Sequence, residues 1–105
     1  MTTPHYLQVF VSAENKKQAN NLLSLLLQKR LIAGGVIFHG PANFWWKAKI
    51  LSADYYNISV FTKRKCKHNI EAVVKKVSKE EVPLIWFTSI TANTAMLDWI
   101  EKSLQ

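Results

Sequence analysis

With 105 residues, 49% of them apolar, the chain is long enough to bury one core without disulfides or a metal and too short for a second, so residues 1–105 are expected to form a single domain. No apolar run approaches the ~20 residues that a membrane-spanning helix requires, and residues 1–5 show no basic start, apolar stretch or small-residue cleavage site, which points to a cytoplasmic protein without membrane association. Fourteen Lys+Arg against seven Asp+Glu give a formal charge of +7, enough to raise the question of an anionic partner and not enough to answer it. The lone cysteine, Cys66, has no internal partner for a disulfide and suits a reducing compartment.

Residues 6–12 alternate around Leu7, Val9 and Val11, the period-2 pattern of a strand with one buried face. Asn15 followed by Gln18 forms a capping-box-like start to a helix that carries Ala19, Leu22, Leu23 and Leu26 at helical spacing and is expected to end near Arg30. Residues 31–38 read as a strand with a bulge or close backbone approach at Gly34 and Gly35, interrupted at Gly40 and Pro41. Strand character resumes at Phe44, Trp45 and Trp46, a polar turn is expected at Ser52, Ala53 and Asp54, and the next strand spans residues 55–62 with Tyr56, Ile58 and Val60 on one face.

Ile70, Val73, Val74 and Val77 stand at i, i+3, i+4 and i+7, one helical face despite their β-branched side chains. Pro83 closes a loop over residues 78–81, residues 84–90 form an apolar strand with Trp86 and Phe87, and a last helix from about Asn93 carries Met96, Leu97, Trp99, Ile100 and Leu104. The element order is a ferredoxin-like βαββαβ sandwich of the α+β class with a C-terminal helix. Right-handed crossovers put the two main helices on one sheet face. Trp45, Trp46, Tyr55, Phe61, Trp86 and Phe87 exceed what that layer can cover, so part of the set is expected to pack against other subunits.

The strings Lys29-Arg30-Leu31-Ile32-Ala33, Trp45-Trp46-Lys47-Ala48-Lys49, Glu81-Val82-Pro83 and Met96-Leu97-Asp98-Trp99-Ile100, in that order, make the chain resemble the CutA family of divalent-cation tolerance proteins. The resemblance implies a homotrimer with the architecture shared by the PII signalling proteins, its sheets paired edge to edge. It also marks departures: Gly34 stands where the family usually has a cysteine, Ser78, Lys79 and Glu80 replace a His-Pro-Tyr element, and Leu84 replaces a carboxylate. Trp46-Lys47-Ala48-Lys49 replaces Trp-Glu-Gly-Lys, and Phe61-Thr62 a Lys-Thr. The cysteine, histidine and carboxylate replacements remove groups that could hold a metal, so no metal ligand is assigned, and copper or zinc are the ions the resemblance leaves to consider.

His5, His39, His68 and Cys66 are the only soft or borderline ligands, and their spacing sets up no closed tetrahedral site. No serine, threonine or cysteine stands beside a base and orienting group, which argues against an enzyme. A ligand cleft between subunits is expected near Trp46, Lys49, Lys63, Ser78 and Glu81, with a small anion as its occupant because lysines stand where acids are usual. The alternative is an RNA-binding module of the same topology using sheet aromatics, although residues 54–62 lack the basic-Gly-aromatic pattern of such modules.

Overall fold

The computed structural model describes residues 5–104, so nearly all of the amino-terminal segment read above for a secretory signal lies outside the described residues. Strand β1 (Tyr6–Ala13) alternates as expected, with Leu7, Val9 and Val11 buried on one face. Helix α1 (Lys16–Gln28) starts where Asn15 Oδ1 accepts the Gln18 N–H at 2.9 Å. It ends two residues before the predicted limit. Lys29 caps it, and Arg30 turns into the left-handed region at φ 59°, where its guanidinium donates to the Ser103 carbonyl at 3.2 Å. Arg30 therefore ties the helix end to the C-terminal segment.

The central hairpin departs most from expectation. Strands β2 (Gly34–Trp46) and β3 (Lys49–Lys63) pair without interruption from Gly34 opposite Phe61 to Trp46 opposite Lys49. Gly40 and Pro41 lie inside β2, which runs along the sheet edge, where a proline's missing N–H leaves no ladder partner unsatisfied. Nor is there a turn at residues 52–54: the Ser52 hydroxyl reaches across to Asn43 Oδ1, and Asp54 Oδ2 lies 2.9 Å from His39 Nδ1. These polar side chains signal cross-strand pairing.

The chain reverses instead at Lys47 and Ala48, whose φ values of 50° and 63° place both in the left-handed region, as a type I′ two-residue turn requires. Such turns favour Asn-Gly, and the absence of glycine hid this one. A left-handed alanine costs roughly 1–2 kcal/mol that glycine does not incur. Ala48→Gly is therefore expected to raise stability by about 1 kcal/mol in urea denaturation. An unchanged or lower midpoint would show that Ala48 is not held there under strain.

A short 3-10 turn (Arg64–Cys66) leads into α2 (Lys67–Val77), then come β4 (Ile85–Ser89) and α3 (Thr94–Ser103), capped by Asn93 Oδ1 accepting the Met96 N–H at 2.9 Å. The sheet order is β2-β3-β1-β4, antiparallel throughout. Leu7, Val9 and Val11 from β1 and Ile58 and Val60 from β3 meet Ala19, Leu22 and Leu26 of α1 and Ile70 and Val74 of α2 in the core. Gly35 permits a close approach there, since a Cβ would lie 2.6 Å from both the Ser59 carbonyl oxygen and Val60 Cγ1. The register continues past it without a bulge.

Helix α3 lies against the other sheet face, where Trp99 stands edge-on to Phe61 at 6.4 Å and its ring atoms come within 3.0 Å of where a Gly34 Cβ would be. The surplus aromatics divide accordingly. Phe87 belongs to the helical side, with Lys67 Nζ 4.7 Å from its ring centre, and α3 shelters Phe61. Trp86 remains 46% exposed, and at the far end of the hairpin Trp45 is 71% exposed.

Candidate functional site

The hairpin and the loop between α2 and β4 enclose an open cleft on the α3 side of the sheet. Phe44, Trp46, Leu51 and Tyr55 line it from the hairpin, and Lys79, Glu80, Glu81 and Val82 from the loop. The loop is fastened by one carboxylate: Glu80 accepts the Tyr55 hydroxyl and the Ser12 hydroxyl, each at 2.7 Å. Ser12 Oγ in turn accepts the Leu84 N–H at 2.8 Å, while the Ser12 N–H donates to the Leu84 carbonyl at 2.9 Å. Ser78 Oγ accepts the Glu80 N–H at 3.2 Å. Burial, and then the bond to Glu80, pushes the Tyr55 phenol up to about 12, so the proton that closes this network stays in place through neutral pH.

A serine hydroxyl bonded to a carboxylate has the composition of a nucleophile and base. Its position gives it another role. Ser12 is buried, and its oxygen is already engaged by a backbone donor, so the pair acts as a clamp between the end of β1 and the loop. No sequence spacing links residues 12, 55 and 80, which meet only because β1 and β3 are neighbours and the loop returns over their ends.

Of the five residues expected around a ligand, Trp46 and Glu81 line the same cleft, and Lys49 is opposite Trp46 across the hairpin. Ser78 secures the loop from behind, where it lines the groove between α1 and α2. Lys63 stands apart within the chain. It is at the other end of β3 from Lys49, most of the molecule's 43 Å length away, with Nζ 2.7 Å from Glu101 Oε2. The cleft itself carries Glu14, Glu80 and Glu81 against Lys79, and Lys47 at the hairpin tip pairs with Glu81 at 3.3 Å. Its balance of charge is acidic.

Glu101 forms a second hub that the sequence did not reveal. Its carboxylate accepts from Lys63 Nζ at 2.7 Å and Tyr6 OH at 2.8 Å, and His5 Nε2 lies at 3.0 Å. Lys63, then Tyr6, hold its carboxyl down at about 2, and the carboxylate in return raises the Tyr6 phenol.

The soft ligands are dispersed. His5 faces Glu101, His39 stacks on Tyr56 at 4.7 Å beside Asp54, His68 is exposed and Cys66 is buried. Among the described residues no three His, Cys, Asp or Glu side chains gather where they could hold a metal ion.

A four-stranded antiparallel sheet with two helices packed on one face and a third across the other defines a ferredoxin-like α+β protein. The family profile described as CutA1 divalent ion tolerance protein matches residues 7–103, and the chain belongs to that family. The divalent-cation tolerance protein CutA of Archaeoglobus fulgidus is 26% identical over 98 residues, spanning 92% of this chain and 96% of that protein. Its solved structure, named as that of a periplasmic protein, superposes with a TM-score of 0.91 over 95% of this chain and 99% of its own. CutA1 from Oryza sativa shares the fold at 21% identity, with a TM-score of 0.91 over 100% of this chain and 98% of its own.

Within this fold Ala48 is held in the left-handed turn and the Trp99 indole roofs Gly34.

Proposed function

We propose that this single-domain chain assembles as a homotrimer and serves divalent-ion tolerance as a non-enzymatic binding or signalling component in the cytoplasm. The observation that carries the proposal is the uncovered aromatic surface. Phe10 stacks on Trp86 at 4.9 Å and meets Phe38 edge-on at 6.4 Å, yet Phe38 is 41% and Trp86 46% exposed. Beyond them the hairpin end is apolar on both sides, with Trp45 opposite Ile50 on one and Phe44 opposite Leu51 on the other. Monomeric proteins seldom leave such a contiguous patch in water, and both β2 and β4 are edge strands with open backbone groups.

A closed assembly of three copies would cover the face and the edges together. A small anionic ligand between subunits would draw its cations from a neighbouring copy, because three of the four charged residues with which one copy lines the cleft are carboxylates. The buried Cys66, unpaired in a disulfide, suits a reducing compartment. Light scattering on the eluted protein tests the assembly. The expected mass is three times 12.1 kDa, and a single 12.1 kDa species would refute the trimer.

A further inference from the structure

The net positive charge is concentrated in two stretches of the chain. Residues 14–30 and 64–79, which hold α1 and α2, contain ten of the fourteen basic residues and two of the seven acids, leaving the rest of the chain with four bases and five acids. No lysine of α1 or α2 takes part in an ion pair with a carboxylate among the described residues. Between the two helices runs an open groove, 610 Å³ in its larger hollow, to which Lys29, Lys76 and Lys79 contribute and to which no carboxylate does. Asn21, Ser24 and Gln28 add neutral amide and hydroxyl groups along the α1 wall.

We infer that this groove docks the phosphate backbone of duplex nucleic acid. Lysines interspersed with amides and hydroxyls are the side chains that contact phosphate oxygens without reading bases. A single strand would need aromatic platforms for its bases, and neither α1 nor α2 contains a Phe, Tyr or Trp. An anionic membrane would need apolar groups to enter the headgroup region. Leu27, 41% exposed, is the one large exposed hydrophobic on these helices among the described residues, and the exposed tryptophans lie on the sheet, the hairpin and α3. The surface is complete in one subunit and lies on the opposite side of the sheet from the aromatic face, so it does not depend on the trimer.

Fluorescence anisotropy with a labelled duplex DNA and a labelled duplex RNA, on the full chain, tests the inference. With three lysines meeting phosphates, the slope of log K against log salt is expected near −3, about a forty-fold loss of affinity between roughly 50 and 200 mM. The combined Lys29→Glu, Lys76→Glu and Lys79→Glu variant is expected to bind at least ten times more weakly. The neutral Gln triple variant serves if charge reversal impairs folding, and Lys47→Glu at the hairpin tip should bind as the wild type does. Comparable DNA and RNA binding would indicate recognition of the shared backbone, and a preference would say which helix form fits. Wild-type affinity in the groove variants, no binding at 50 mM salt, or retention by phosphatidylserine vesicles in place of duplexes would overturn the inference.

Discussion

Trp86→Lys is expected to convert the proposed trimer into folded monomers, lowering the mass seen by light scattering threefold to 12.1 kDa while leaving the circular dichroism spectrum intact. The expectation rests on what the residue touches in one subunit and what it would touch in three. Within the protomer Trp86 packs on Phe10, its register partner on β1, and leaves 46% of its surface in water. A lysine stem can lie over the Phe10 ring with its ammonium in solvent, so the fold loses little. At a subunit contact the same ammonium is desolvated without a partner. An unpaired buried charge costs about 3–5 kcal/mol, here repeated in every subunit. Leu27→Lys makes the comparison, because Leu27 is 41% exposed on the helical layer and its replacement should leave the mass unchanged. A Trp86→Lys protein that keeps the larger mass would show that this face is not the contact.

The parts of the fold that the sequence disclosed are those set by burial. Leu7, Val9 and Val11 alternate because one face of β1 meets the helices, and Ile70 and Val74 face inward at helical spacing, so periodicity alone located both elements. The hairpin escapes that signal because its residues beyond the helices have no helical layer to bury them and carry no apolar alternation in sequence. Gly40, Pro41, Ser52 and Asp54 have the composition of turns and occupy strands, while the true reversal at Lys47 and Ala48 lacks turn composition altogether. The cleft was half legible. Trp46 and Glu81 could be placed together through family resemblance, whereas Lys63 could not be separated from them until β3 proved to be one continuous strand with Lys49 and Lys63 at its ends. Ser12, Tyr55 and Glu80 gave no signal, since contacts between elements far apart in sequence leave no spacing to recognise.

The largest pH effect should come from Glu101, because α3 rests on the sheet through it. Lys63 has a tenth of its side chain exposed, and its ammonium has Glu101 as its carboxylate partner. Glu101→Gln keeps the shape and removes the charge, leaving that ammonium with only a neutral acceptor in place of the carboxylate. At pH 7 the variant is expected to melt several degrees below the wild type. The difference should depend on pH with a definite sign. The carboxyl is held at about 2 in the folded protein against an ordinary value of 4.5, so its stabilisation is present above about 4.5 and fades as the pH falls towards 2. The melting curves of wild type and variant should therefore converge on acidification across that window. At the alkaline end the Tyr6 phenol, raised by the same carboxylate, contributes stability that is complete below its ordinary value of 10 and is lost as the pH climbs beyond it. Thermal melts at intervals from pH 2 to pH 11 would show the wild type weakening at both extremes. The variant should be flatter at both. If the two proteins kept a constant separation from pH 7 down to pH 2, the Lys63–Glu101 pair would not be what holds α3 in place.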